Sequence, residues 1–402
     1  MSAGRAEARA LLMLLLAAFA FVPAARSEEI RLVEGPVFEA DLGASYRNWT
    51  LKKEGSEDVE VSEAVLPISA RMRLSRRAEV SVFFPGVSAR LLGEDGSHYR
   101  GPADATISGS YVIGGRTRVG LLFGVPTGRS DPEPDERTIA AVAASRILRF
   151  PVRRFGEGFD VGGSLVHGFP LAGSFALSAG GGFLRKGEYT YAGSGGETEY
   201  DPGDEAFLSC GAEGEWGRGA RVSLAADLRY RLFGVDRRGG EDYYEEGDEV
   251  DLFVDAAARF RSGGRAAIGV FFAFKGEGSE EGAFGIGEID SLTVPRYLFR
   301  DLTGDCREVS ASYEHPVHRR VGLAARVLAA DFGEYSVPEG AETEGARLLG
   351  SARVYEAGGG LRVELAPGIR LFVDAARLAG DAEDGAIELS GYEMTTALHW
   401  TY

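Results

Sequence analysis

The sequence predicts an all-β fold: a transmembrane, antiparallel, up-and-down β-barrel of about 16 strands, with 14 as the alternative count. Three observations predict it. Apolar and polar residues alternate with period 2 in many runs of ten or more, whereas ordinary strands average ~5–6 residues and a tilted membrane strand needs about 9–11. The connections between runs alternate short and long without exception. The chain ends on an amphipathic run that places Tyr392, Met394, Thr396, Leu398, Trp400 and Tyr402 on one face.

Composition agrees. Among 402 residues there are 57 Gly, 23 Phe and 15 Tyr, a bias toward strands and turns rather than helices. A hydrophobic share of 44% excludes intrinsic disorder, and two cysteines exclude a disulfide-stapled scaffold. With 44 Lys+Arg against 61 Asp+Glu the net charge is −17, the wrong sign for a nucleic-acid partner. No cofactor motif is present.

The N-terminus reads as an address. Arg5 and Arg9 precede the apolar run Leu11 to Val22, and Ala24, Ala25 and Ser27 follow. This is the layout of a secretory signal peptide over 1–27, leaving 28–402 as the barrel. After it no stretch reaches 18 apolar residues. A membrane protein without such a stretch must cross as a closed barrel, because lipid cannot satisfy open backbone groups.

In chain order, strands are expected at 38–48, 58–75, 77–86, 103–113, 116–125, 157–168, 173–187, 204–216, 219–233, 248–262, 265–276, 305–315, 319–330, 351–364, 367–378 and 389–402. Pro67 predicts a break or bulge in the second. The clearest run sets Val222, Leu224, Ala226, Leu228, Tyr230 and Leu232 against Arg221, Ser223, Ala225, Asp227, Arg229 and Arg231. The next two repeat it, with Leu252, Val254, Ile268 and Val270 on the apolar face. Short links fall at 75–77, 114–115, 168–172, 217–218, 262–264, 315–318 and 366–367, and long ones at 49–57, 87–102, 126–156, 188–203, 234–247, 277–304, 331–350 and 379–388. Short periplasmic turns and long external loops are the pattern of outer-membrane barrels, and it puts both termini on the periplasmic side. Period 2 alone does not say which face is inside, so a soluble all-β chain burying the apolar face stays open.

With the apolar face outward, the candidate lumen residues are Arg221, Asp227, Arg229, Arg231, Asp251, Asp255, Arg259 and Arg265, interspersed with Phe253 and Phe271. Leu122, Leu184 and Leu328 share that face on their own strands. Charges there can pair across strands or shape selectivity, and the apolar members suit hydrophobic ligands. Asp135 to Leu148 departs from period 2: Ile139, Val142 and Leu148 have helical spacing behind an acidic start. It is either a helix folded over or into the pore, or an ordinary external loop helix.

Several strings resemble the outer-membrane transporters for hydrophobic compounds, the group of the long-chain fatty acid channel and the barrels named for the phenol-degradation meta pathway. They are Leu66-Pro67 with the alternating Ile68 to Leu74, Gly124-Val125-Pro126-Thr127-Gly128, Arg154-Phe155-Gly156-Glu157-Gly158-Phe159, Lys186-Gly187-Glu188-Tyr189, Tyr200-Asp201-Pro202-Gly203-Asp204-Glu205 and Asp227-Leu228-Arg229-Tyr230. They occur in family order over 66–230, although Gly, Pro and Asp are also what strand ends and turns demand. The closing aromatic Tyr402 is similar to the C-terminal signature of outer-membrane barrels, which implies the barrel-assembly machinery as a partner through the last strand. The resemblance implies passive uptake of hydrophobic small molecules and release sideways through the wall. Two features depart from it. Only Glu28 to Val37 precede the first strand, too little for that family's N-terminal plug, and its fatty acid channels have 14 strands.

Catalytic and metal chemistry find little support. Outer-membrane phospholipases pair Ser with His on the barrel wall, but Ser164 and His167 fall on opposite faces of one strand. His399 faces the polar side with Thr395 and Thr401. His315-Pro316-Val317-His318 is expected in a turn, solvated rather than metal-binding. A triad assembled from distant strands stays open. Cys210 and Cys306 read as free thiols. The acidic groups Asp131 to Glu136 and Glu241 to Glu249 are solvated, or hold divalent ions that bridge lipopolysaccharide. The expectation is therefore a non-enzymatic channel of the bacterial outer membrane for hydrophobic or aromatic small molecules. Its partners are the bilayer and lipopolysaccharide, and a lipid-acting barrel enzyme, a water-filled porin and an assembly barrel are the alternatives.

Overall fold

The structure, a computed structural model, describes residues 37–92, 97–129, 136, 139, 142–143, 145–153, 155–171, 174–193, 196–217, 220–276, 304–333 and 351–402. The signal segment 1–27, Asp131 to Asp135 and most of the 277–304 and 331–350 links lie outside them. In chain order the strands are β1 (Phe38–Lys53), β2 (Val59–Arg73), β3 (Ala78–Leu92), β4 (Ser97–Pro102), β5 (Ala105–Ile113), β6 (Thr117–Val125), β7 (Asp160–Pro170), β8 (Phe175–Arg185), β9 (Tyr189–Gly193), β10 (Gly196–Asp201), β11 (Glu205–Trp216), β12 (Arg221–Phe233), β13 (Val235–Arg238), β14 (Glu241–Glu245), β15 (Glu249–Arg259), β16 (Arg265–Lys275), β17 (Cys306–His318), β18 (Val321–Phe332), β19 (Ala352–Ala366), β20 (Ile369–Ala382) and β21 (Ile387–Thr401).

Sixteen of these close into one antiparallel barrel, each pairing with the next and β21 returning to β1 through a register from Glu39↔Thr401 to Lys53↔Ile387. Closure leaves no edge for lipid to meet. β4 continues β5 toward the long-loop end, where it takes over pairing with β3. All sixteen expected strands are present and the fold is the predicted barrel. The N–H of Val37 donates to the Tyr402 carbonyl at 2.8 Å, so the two strand ends meet at the short-turn end.

The apolar face of each strand points out. Leu42, Ile68, Leu208, Leu224, Ile268, Val327 and Met394 are exposed on the outer wall. A soluble chain would bury such a belt, so the exterior is that of a membrane-spanning barrel. Leu252 lies on the same face but is 5% exposed between its register partners Leu228 and Phe272.

Four local expectations are corrected. β2 runs through Pro67 without a register shift, Pro67 facing Pro85 of β3. The bare Cα of Gly43 on β1 leaves room for the ring, since a Cβ there would sit 3.2 Å from Pro67 Cγ. His315 to His318 is the end of β17, with a bulge after Pro316, and the turn lies at Arg319–Arg320. The 87–102 link is mostly strand, β3 and β4. The 188–203 and 234–247 links are hairpins too, β9–β10 and β13–β14, joined into a four-stranded sheet beyond the barrel. Outside lipid neither face of a ribbon must be apolar, so the alternation that marks a membrane strand is lost while the backbone pairing continues.

Candidate functional site: the obstructed lumen

The segment between β6 and β7 turns into the barrel. Glu136, Ile139, Val142 and Ala143 are helical, as the spacing predicts. Ile139, Ala143, Ile147, Leu148 and Phe155 are fully buried inside the wall, in one apolar cluster with the lumen-facing Trp49, Val61, Val65, Tyr99, Val354, Leu378 and Leu389. Of the two placements the spacing allowed, the pore is the one found. Burying these side chains contributes roughly 1.5–3 kcal/mol for each large one, so the segment is built into the lumen.

Polar anchors fix it. The Leu148 carbonyl accepts from Trp49 Nε1 at 2.8 Å and Arg47 Nη1 at 3.3 Å, and the Val152 N–H donates to Glu63 Oε1 at 3.1 Å. Asp104, between β4 and β5, holds the base: its carboxylate accepts from the N–H groups of Gly128 at 3.1 Å, Gly156 at 3.0 Å and Glu157 at 2.8 Å. Gly156 has φ +87°, and a Cβ would collide with the Arg129 carbonyl, so the close approach needs glycine. The resembling string at 124–128 and the described part of the next, 155–159, thus meet at this latch. Similar latches recur at the long-loop end: Gly187 N–H to Asp160 (3.1 Å), Lys186 N–H to Asp204 (3.1 Å), Gly203 N–H to Asp236 (2.6 Å) and Lys275 N–H to Asp305 (3.0 Å).

The inward segment also brings cations. Arg146 Nη2 lies 3.3 Å from Glu249 Oε1, which Arg231 Nη1 also approaches at 3.2 Å. Arg149 pairs with Glu308 and, through Nε at 3.3 Å, with Glu356. Glu356 and Glu393 in turn hold Arg47 at 3.1 and 2.8 Å. Glu249 is wholly buried, and such an ion is tolerable only when paired.

Among the described residues, cavities of about 630 and 390 Å³ lie beside the segment. They share Arg146, Phe253 and Phe271. The two rings are 4.5 Å apart, and the Arg146 guanidinium sits 5.8 Å from the Phe271 centroid. Arg229, Arg231 and Asp251 line the larger cavity, with Leu122 and Leu184; Asp255 lines the smaller. Leu328 packs against the buried cluster. Asp227 faces the lumen between its register partners Gly211 and Phe253. Arg221, Arg259 and Arg265 lie side by side at the short-turn end, away from both cavities, where Arg221 pairs with Glu215 at 2.8 Å. Sequence reasoning missed Arg118, Arg146, Arg149, Arg153 and Phe207. Arg118 and Phe207 were visible as lumen-parity positions on β6 and β11, whereas the loop arginines carried no periodic signal.

Among the described residues the histidines are not arranged with a serine and an acid as in a hydrolase. Ser164 faces the larger cavity while His167, on the opposite face, meets Thr117 Oγ1 at 2.8 Å. His399 Nδ1 bonds Asp41 Oδ1 at 2.7 Å, but Ser69 donates to the same carboxylate rather than to the imidazole. Ser88 and His98 approach to 3.4 Å on the outer wall, with no acid on the other imidazole nitrogen among the described residues. Nothing there fixes the tautomer a general base needs. No group of metal-ligating side chains occurs among the described residues. Cys210 is exposed on the wall and Cys306 buried in the lumen, both free.

No protein-family model and no curated protein matches the chain. Solved structures share its architecture. CdiB from Acinetobacter baumannii is similar over 91% of this chain at 9% identity and a TM-score of 0.49, and this chain spans 60% of it. A BenF-like porin from Pseudomonas fluorescens Pf-5 is similar over 92% of this chain and 100% of its own, at 10% identity and 0.42. An outer membrane channel from Pseudomonas putida F1 is similar over 62% of this chain and 93% of its own, at 14% identity and 0.39. All lie below a TM-score of 0.5, and what this lumen can do follows from its own residues.

Proposed function

We propose that the chain is a bacterial outer-membrane channel for passive entry of hydrophobic or aromatic small molecules. The observation that carries this reading is the set of lumen-facing rings, Phe207, Phe253 and Phe271, around a cavity of about 630 Å³ beside an inward segment. That volume is in the range of small-molecule sites. Apolar rings that border a cavity on the inner face of a barrel are costly in a water-filled pore, and an apolar solute that covers them removes that cost. A ligand leaves the external loops, passes between the inward segment and the wall, and crosses the ring-lined cavity toward the periplasm.

Planar-bilayer recording tests it. The expected record is a small conductance that aromatic solutes interrupt. A large, steady current indifferent to them makes the protein a water-filled porin and overturns the reading.

A further inference from the structure

We propose that the short-turn rim of the barrel is a docking surface for the net-anionic phospholipids of the periplasmic leaflet. The inference rests on the outer-membrane placement, in which short turns face the periplasm, and is independent of what the lumen conducts. Across the chain 61 acids outnumber 44 Lys and Arg. The short turns reverse that balance. Their described residues include Arg76 and Arg77 between β2 and β3, Arg116 between β5 and β6, Arg261 between β15 and β16, and Arg319 and Arg320 between β17 and β18, all exposed, and no Asp or Glu. On the flanking strands Glu39, Glu79, Glu215 and Glu314 face the lumen. There the first two meet Arg71 at 3.8 and 3.6 Å, Glu215 meets Arg221 at 2.8 Å and Glu314 meets Arg362 at 3.6 Å. Arg76, Arg77, Arg116, Arg319 and Arg320 have no ion-pair partner among the described residues.

Depth identifies the partner. Toward this rim the outer wall carries a girdle of rings, Tyr111, Phe169, Trp216, Phe260, Tyr313 and Trp400, each 40–49% exposed. Such girdles mark the level of the lipid headgroups, and the arginines stand directly beyond it. The Arg77 carbonyl accepts from the N–H of Val112, next to Tyr111, at 2.8 Å, and the Arg116 carbonyl from the N–H of Gly168, next to Phe169, at 2.8 Å. Arg261 follows Phe260 in the chain. The β15–β16 turn packs on the end of β17: a Cβ on Gly264 would lie 3.1 Å from Tyr313 Oη, and one on Gly263 3.1 Å from Pro316 Cγ. Arg261 and the Arg319–Arg320 pair therefore stand on neighbouring turns beside the same two rings. One residue of strand spans only about 3.3 Å, so these guanidinium groups are within reach of the lipid phosphates. Their parallel donors match phosphate oxygens, and each cation beside an anionic membrane surface strengthens the attraction about fivefold.

The test places a reporter indole among these groups. In a Phe260→Trp, Trp216→Phe, Trp400→Phe background the remaining native indole, Trp49, is buried in the lumen, away from lipid. The full chain is reconstituted in vesicles of phosphatidylcholine and phosphatidylglycerol in which one lipid or the other is brominated. Quenching of the reporter is expected to show phosphatidylglycerol enriched beside it by about fivefold. Adding Arg261→Gln, Arg319→Gln and Arg320→Gln is expected to bring the two lipids to parity, the three Lys substitutions to keep the preference, and high salt to weaken it. Heat-modifiable gel mobility confirms that each variant forms the barrel. Equal quenching by the two lipids in the parent, or a preference that survives the triple Gln variant, overturns the assignment. Parity combined with sedimentation of the parent, but not of the triple Gln variant, on peptidoglycan sacculi transfers the rim to the cell wall and overturns it as well.

Discussion

Removing the carboxylate at the base of the inward segment separates the segment from the wall that holds it. In Asp104→Ala, three backbone N–H groups, on Gly128, Gly156 and Glu157, lose a charged acceptor at 2.8–3.1 Å. Hydrogen bonds to charged groups contribute roughly 1.5–3 kcal/mol each, and three that share one carboxylate are not additive, so about 3 kcal/mol is a fair lower figure. That raises the ratio of displaced to docked segment by roughly two decades. The sixteen-strand register does not involve Asp104, so barrel formation on gels is expected to be unchanged. Trp49 reports the docked state: its indole is fully buried and donates to the Leu148 carbonyl, while Trp216 and Trp400 are about half exposed on the outer wall. In a Trp216→Phe, Trp400→Phe background, acrylamide quenching of Trp49 is expected to rise in Asp104→Ala together with unit conductance. Asp104→Asn, which keeps one acceptor oxygen, falls between. Unchanged quenching and conductance in a well-formed Asp104→Ala barrel would refute the latch, and with it the view that the segment obstructs the pore.

Two further outcomes follow from the wall and from the external sheet. Leu224→Arg places a cation in the outer belt and is expected to cost roughly 1–4 kcal/mol, depending on depth. Ala225→Arg one residue on, between its register partners Glu213 and Asp255, is expected to cost close to nothing. Urea unfolding from vesicles measures both, and equal costs would mean that the faces are misassigned. On the external sheet, burial holds the Asp236 carboxyl above its usual range despite hydrogen bonds from the Tyr200 hydroxyl and the Gly203 N–H. An acid whose folded pKa is raised binds its proton more tightly folded than unfolded. Its contribution is therefore fully present below the unfolded value of about 3.8 and is lost as pH rises through the folded one. Hydrogen-exchange protection of the β10–β13 pairing, corrected for intrinsic rates, is expected to fall over that interval. Asp236→Asn is expected to remove the dependence, and a parent protein with pH-independent protection would contradict it.

The strands were legible because lipid imposes a strict rule on them: one face apolar, the other facing the lumen, residue by residue. Leu224 and Arg229 declare their faces without any knowledge of partners. The rule stops where lipid stops, which is why the β9–β10 and β13–β14 hairpins read as loops although their backbones pair as regularly as the wall. The turn-like strings were legible only as turns. Gly156, Gly187 and Gly203 with Asp104, Asp160 and Asp236 form latches between elements, and no periodicity connects Asp104 to a residue 52 positions away. The inward segment was half legible. Helical spacing marked Ile139 and Val142 as one face, but a spacing cannot say which surface that face meets. Arg146, Arg149 and Arg153 look like ordinary loop arginines until Glu249, Glu308 and Glu356 appear opposite the first two.

Those pairings tie the charge of the lumen to the position of the segment. In the docked arrangement Glu249, Glu308 and Glu356 are engaged by Arg146 and Arg149. Withdrawing the segment takes Arg146 and Arg149 with it. Glu308 is then left without the cation that pairs with it, while Glu249 keeps Arg231 and Glu356 keeps Arg47. The wall thus gains negative character as the bore widens. Obstruction and selectivity are consequently one property of this lumen: the same variant that opens it, Asp104→Ala, must move its reversal potential toward cations. A wider pore with an unchanged reversal potential would mean that the arginines of the segment serve only to hold it in place.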